Sequence, residues 1–192
     1  MSHYVGYISV PHGSYQQWRD ATLGNGYDTD GYFGEQCFDY ISLLYYQYGL
    51  FLRTKAGGGL ACDCWLYSRD YNSQDPFESL TGANNIKRGD VLVWNVTGYY
   101  TGSHIAIADE AYDGSGYIWV LGQNQVGNGS GYPVTRARLP IAGLLGMFRN
   151  KQWQGEEPEP IKTGYNINKY KFVLFNRRKR QEKWTKKPLK RR

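Results

Sequence analysis

Nowhere in the 192 residues is there a run of about 18 apolar residues, the least that carries a helix across a bilayer, so no helical membrane span is expected. No apolar core of signal-peptide type precedes Tyr15, which predicts a protein made without its own Sec signal. Cysteine is scarce, with Cys37, Cys62 and Cys64 only. Three thiols cannot all pair, and a bridge between neighbours as close as Cys62 and Cys64 would be strained, so all three are expected to be reduced. A chain of this length can bury a genuine hydrophobic core without disulfides. No Cys or His cluster completes a zinc set around Cys62 and Cys64, which therefore read as structural, while His3 and His12 fall in an irregular N-terminal arm. No internal repeat is evident, which excludes a solenoid or a tandem-repeat binding module.

Acidic residues are missing from one end. Residues 161–192 hold 13 of the 23 Lys and Arg but one acid, Glu182, for a local charge of +12, whereas residues 1–160 carry −6. The basic pI belongs to that tail. The stretch Glu156-Glu157-Pro158-Glu159-Pro160 suits neither helix nor strand and reads as a linker, giving a domain over 1–155, a linker over 156–160 and a basic tail over 161–192. Within the tail, Tyr170 to Phe175 has the pattern of one short strand. The tail reads either as an electrostatic anchor for a polyanion or as a solvated, disordered end. What the chain has in abundance is 24 Gly and 18 Tyr, which suit turns and a stacking surface for a carbohydrate or peptide ligand.

Ser14 and Gln17 have the spacing of a capping box, which predicts a helix to about Thr22. Cys37, Tyr40, Ile41, Leu44, Tyr45 and Tyr48 recur on one helical face, and Gly49 stands where that helix would stop. Cys37 opens the face. A helix start lowers a thiol pKa and offers its first N–H groups to a developing oxyanion. Gln36 is either a second oxyanion donor or a solvent-facing glutamine. Ser103 to Asp109 alternates as a strand, with His104, Ala106 and Ala108 on one face and Ile105 and Ile107 on the other. Tyr117 to Gln125 is a further strand, and antiparallel pairing of the two would bring Asn124 to the His104 ring as its orienting partner.

These residues resemble the CHAP domain, the cysteine, histidine-dependent amidohydrolase/peptidase of bacterial and phage cell-wall hydrolases. The resemblance runs from about Tyr15 to Asn150. It rests on Gln36-Cys37-Phe38-Asp39, on Lys87 to Trp94 leading into the first strand, on Gly102-Ser103-His104-Ile105-Ala106-Ile107, on Gln123-Asn124, and on a closing strand from Gly143 to Arg149. It implies an α+β, papain-like fold with N-terminal helices packed on one side of an antiparallel sheet. It also implies catalysis by Cys37, His104 and Asn124. Members often carry a glutamate two positions before the asparagine, and here that position is Gly122.

Some phage members bind calcium in the loop before the cysteine. The matching residues are Asp28, Asp30 and Asp39 for carboxylates and Tyr32 and Gly34 for main-chain oxygens, a donor set suited to a hard cation. The loop is not an EF-hand, because Phe33 holds the sixth position where a glycine is required. The alternative is that Asp28 and Asp30 are turn residues.

The resemblance implies a peptidoglycan hydrolase, either a phage endolysin or a virion tail lysin, cutting the muramoyl-L-alanine amide or a cross-bridge peptide bond. Its location would be a virion tail, or host cytoplasm before release to the wall. The basic tail would then meet teichoic acid or other virion proteins. The other reading is a non-catalytic tail component that docks through its basic arm.

Overall fold

The computed structural model describes residues 2–125 and 132–154. The linker, the basic tail and its short strand lie outside the described residues.

Three elements precede the helix that opens with Cys37. Strand β1 (His3–Val5) pairs in parallel with β2 (Gly26–Asp28), and α1 (Tyr15–Thr22) lies between them in sequence. The N-terminal arm is thus less irregular than expected, and the His3 ring contacts the buried Glu35 carboxylate. Ser14 caps α1 by accepting from the Gln17 N–H at 3.0 Å. Helix α2 runs from Cys37–Gln47, and Gly49 follows at φ +69°, a left-handed conformation that ends the helix at little cost only for glycine.

Two short helices, α3 (Asp63–Leu66) and α4 (Arg69–Asn72), lead into the sheet. Its strands are β3 (Phe77–Leu80), β4 (Val91–Trp94), β5 (His104–Ala108), β6 (Tyr117–Gly122), β7 (Thr135–Pro140) and β8 (Leu144–Asn150). All pair antiparallel, in the order β3-β8-β4-β5-β6-β7. The strand after Lys87 is therefore not the first, since β3 precedes it. β3 and β7 were not anticipated, because Phe77–Leu80 is short and Thr135–Pro140 carries two arginines. β6 stops at Gly122 rather than Gln125.

The architecture is the expected α+β class. Side-chain alternation sends Val91, Val93, Ile105, Ile107 and Leu121 to one face, where they meet Trp18, Tyr40, Ile41 and Leu44 of the helices. Burying Ile41, Leu43 and Leu44 completely contributes roughly 2 kcal/mol each to holding α2 on that face. The second face is also covered: Leu92, Trp94, Ala106, Ala108, Val120 and Met147 form their own core with Tyr100, Ile118 and Leu139. The helices thus pack on one side of the sheet, as expected, and strand and loop residues cover the other. With an apolar cluster on each face, β4 and β5 are buried at every position.

Two arginine–aspartate sites fix the ends of the central strands. Asp90, wholly buried, takes a forked pair from Arg149 at 2.9 and 2.7 Å and the Lys87 N–H at 2.8 Å. Asp109, at the end of β5, accepts from Tyr15 Oη at 2.7 Å, from Arg19 Nε at 2.8 Å and from Arg136. Arg19 and Tyr15 belong to α1, so this carboxylate ties the first helix to the strand that carries His104. Hydrogen bonds from Arg19, Tyr15 and Arg136 outweigh burial and hold the Asp109 carboxyl below its ordinary range.

Candidate active site

The start of α2 is built from its own side chains. Asp39, two residues after Cys37, accepts from the Gln36 N–H at 3.0 Å, from the Thr29 N–H at 3.0 Å and from Thr29 Oγ1 at 2.6 Å. The helix start is thereby stapled to the loop before it. Gln123, wholly buried, completes the mount: its Oε1 accepts from the Tyr27 N–H at 2.6 Å, and its Nε2 donates to the carbonyls of Tyr27 at 2.8 Å and Gln36 at 2.9 Å. One amide thus fixes the backbone immediately before Cys37 to β2 and to the end of β6. Sequence reasoning placed Gln123 only in a motif; its signal was a polar residue directly after a buried strand.

Cys37 is half-buried, and α2 packs on β5. Burial pushes its thiol up to about 11, against hydrogen bonds to the backbone at Ile105 and Phe38 that pull it down. The expected lowering at a helix start is present in kind but is outweighed by desolvation. The contact with Ile105 brings the sulfur to the strand one residue beyond His104.

His104 is 5% exposed, with its ring parallel to the Tyr100 ring at 2° with centroids 5.7 Å apart and beside Trp94 at 5.9 Å. Tyr100 Oη and Trp94 Nε1 both donate to the Pro140 carbonyl at 3.1 Å, which anchors that aromatic wall. Ser103, at φ +62°, accepts the Cys62 N–H on its Oγ at 3.0 Å and so fixes the strand entry to the start of α3. Burial lowers the imidazole to about 4, opposed by a contact with Gln125. Both groups are neutral near pH 7. Among the described residues no hydrogen bond joins thiol to imidazole, while the sulfur meets the backbone of Ile105, the residue after His104.

Among the described residues no hydrogen bond joins Asn124 to His104. The paired register of Ile107 with Leu121 would place it opposite His104, but the ladder ends at Gly122 and Asn124 turns left-handed at φ +52°. The ring contact belongs instead to Gln125, whose Oε1 lies 3.5 Å from His104 Nε2. The apolar pattern ends at Leu121, ahead of Gly122-Gln123-Asn124-Gln125, so the sequence marks where the strand gives out but not which side chain then meets the ring.

The residues expected to hold a cation come together. Ligand oxygens of Asp28, Asp30 and Asp39 lie within 4.8 Å of one another, the span of a sphere at a calcium–oxygen distance of about 2.4 Å. None of the three forms an ion pair among the described residues. One oxygen of Asp28 accepts the Gly31 N–H and one of Asp30 the Tyr32 N–H, both at 2.8 Å, which curls the loop and leaves each a second oxygen. The carbonyls of Tyr32 and Gly34 accept no backbone hydrogen bond among the described residues. Asp39 already takes three donors, so it would offer a remaining lone pair. The donor set fits a hard cation.

A family profile for the CHAP domain matches residues 24–124, from just before β2 to Asn124. The chain belongs to the CHAP domain family. Its relatives include the D-alanyl-L-alanine endopeptidase of Streptococcus phage B30, 32% identical over 162 residues, a stretch that covers 82% of this chain and 34% of that protein. The chain thus spans about a third of the length of that curated relative. Among solved structures, the wild-type endolysin LysIME-EF1 superposes with a TM-score of 0.54 at 23% identity, covering 77% of this CHAP chain and 67% of that one. That likeness concerns the fold. Among the described residues no helix is long and apolar enough to cross a membrane.

Proposed function

We propose that this CHAP domain is a peptidoglycan hydrolase that cuts an amide bond by a cysteine–histidine mechanism. The observation that carries the reading is Cys37 at the start of a helix whose mount is fixed by Asp39 and Gln123, with its sulfur against the strand that begins at His104. His104 would take the thiol proton as the sulfur attacks the carbonyl. A thiol held up to about 11 and an imidazole down to about 4 favour transfer concerted with attack over a standing ion pair. The Cys37 N–H, with Gln36 as the candidate second donor, would meet the oxyanion. His104 would then protonate the leaving amine, and water activated by the same ring would release the acyl group.

Between the two bonds open to the family, the phage B30 relative favours a peptide bond over the muramoyl amide, since it is described as a D-alanyl-L-alanine endopeptidase. Asp28, Asp30 and Asp39, with the Tyr32 and Gly34 carbonyls, would hold calcium, which would neutralise the three carboxylates and stiffen the loop leading to Cys37. The basic segment 161–192 would bind anionic wall polymer or a virion surface, and its attachment should weaken with salt. A phage lysin is the source this reading favours. The second reading, a non-catalytic tail component, draws on Gly122 and on the absence of a thiol–imidazole hydrogen bond. Digestion of purified walls separates them: soluble fragments bearing new amino termini support the hydrolase, and fragments equally abundant with Cys37→Ser refute the nucleophile.

A further inference from the structure

We propose that Gln125 is the positioning residue for His104, filling with its amide the space a side chain at position 122 would need and keeping the imidazole proton on Nε2. This rests on the hydrolase reading above. Gln125 Nε2 donates to the Thr135 carbonyl on β7 at 2.6 Å, and that carbonyl can only accept. The amide orientation is therefore fixed, with Oε1 turned toward His104 Nε2 at 3.5 Å. An amide oxygen accepts, so Nε2 must carry the hydrogen, and Nδ1 is left as the basic nitrogen available to the Cys37 proton. At 3.5 Å the contact is at the long edge of hydrogen bonding, a length that catalytic contacts without substrate commonly show before tightening.

Gly122 is what admits this arrangement. A Cβ there would meet Gln125 Oε1 at 3.0 Å, Gln125 Cδ at 3.1 Å and the Ala106 Cβ at 3.1 Å. Any larger side chain at 122 and the Gln125 amide compete for one space. The left-handed turn at Asn124 brings residue 125 back over the end of β6, and the Tyr100 ring closes the opposite side of the imidazole. The groups against His104 are thus Trp94 on β4, Tyr100 before β5, and Gln125, with the Cys37 sulfur of α2 meeting the backbone of the next residue, Ile105. Only burial and the Gln125 contact act on its titration. A neutral orienter holds the tautomer without the charge that would stabilise an imidazolium, so the ring stays basic-competent in acid where a carboxylate-paired histidine would already be protonated.

The test is nitrogen-15 NMR of the His104 ring in the full chain, with wall-fragment kinetics on the same samples. Wild type should show the Nε2–H tautomer. Gln125→Leu should mix the tautomers and lower kcat by about 10- to 100-fold with little change in KM, the scale for losing a partner that orients a reactive group. Gln125→Glu, which keeps the size, should raise the His104 pKa by about 1 to 3 units. The exchange G122E/Q125A should restore both tautomer and turnover, a rescue that a merely structural glutamine would not allow. An Nδ1–H tautomer in wild type, or a tautomer and kcat untouched by Gln125→Leu, overturns the proposal. An Nε2–H tautomer lost in Gln125→Leu, in a wild type that digests no wall, supports the positioning role and refutes the hydrolase reading instead.

Discussion

Replacing Gln123 by Leu should be strongly destabilising. The side chain is wholly buried and makes three hydrogen bonds, two to the Tyr27 backbone at 2.6 and 2.8 Å and one to the Gln36 carbonyl at 2.9 Å. Leucine keeps much of the volume and removes every partner. A buried backbone group left unsatisfied costs about 1 to 3 kcal/mol, so orphaning both Tyr27 groups and weakening the Gln36 carbonyl totals about 4 kcal/mol. For a domain of this size that is a fall of about 8 to 16 °C in Tm. Urea and calorimetric unfolding on the full chain would read it. The helix start also loses its fixed backbone, so wall hydrolysis measured well below Tm should fall further than the folded fraction does. A stability loss under about 1 kcal/mol would refute the claim that this amide mounts the start of the Cys37 helix.

Other outcomes follow from the same contacts. Asp109→Asn leaves Arg19 and Arg136 without their buried carboxylate and should destabilise by about 3 to 5 kcal/mol; an unchanged urea midpoint would contradict the tie between α1 and β5. Burial holds His104 at about 4 against an ordinary 6.5, so below that ordinary value the unfolded chain takes up a proton that the folded chain refuses. Stability that is full above the ordinary value should therefore decline as pH falls toward 4, by about 3 kcal/mol in all, and His104→Gln should lose that slope; identical pH profiles would refute it. Calcium at about 100 times its Kd should stabilise the fold by about 2.7 kcal/mol, and Asp28→Asn with Asp30→Asn should abolish the gain; a Tm indifferent to chelator would remove the cation site.

The helices and central strands were legible because periodicity and caps agree there. Ser14 caps α1, Cys37 opens α2 and Gly49 closes it, and β5 and β8 match their apolar patterns. The carboxylate loop was legible by resemblance, since Asp28 and Asp39 are eleven positions apart in sequence and meet only because Asp39 binds Thr29. Three things were hidden. The second apolar cluster gathers residues from β4, β5, β6, β7 and β8 with Ile86 and Tyr100, a meeting that no local pattern records. The partner of His104 turned on one left-handed residue, Asn124, two positions past the end of β6 at Gly122. The thiol pKa turned on burial, a tertiary quantity that outweighs the helix-start effect readable from position alone.

The central claim is that the Cys37 sulfur attacks a wall amide carbonyl. Mass spectrometry of purified peptidoglycan digested by the wild-type chain, beside Cys37→Ser of matched Tm, tests it directly. Soluble fragments with new alanine amino termini from wild type and none from the variant are the expected result. Equal fragments from both, or none from wild type with calcium present, would contradict it.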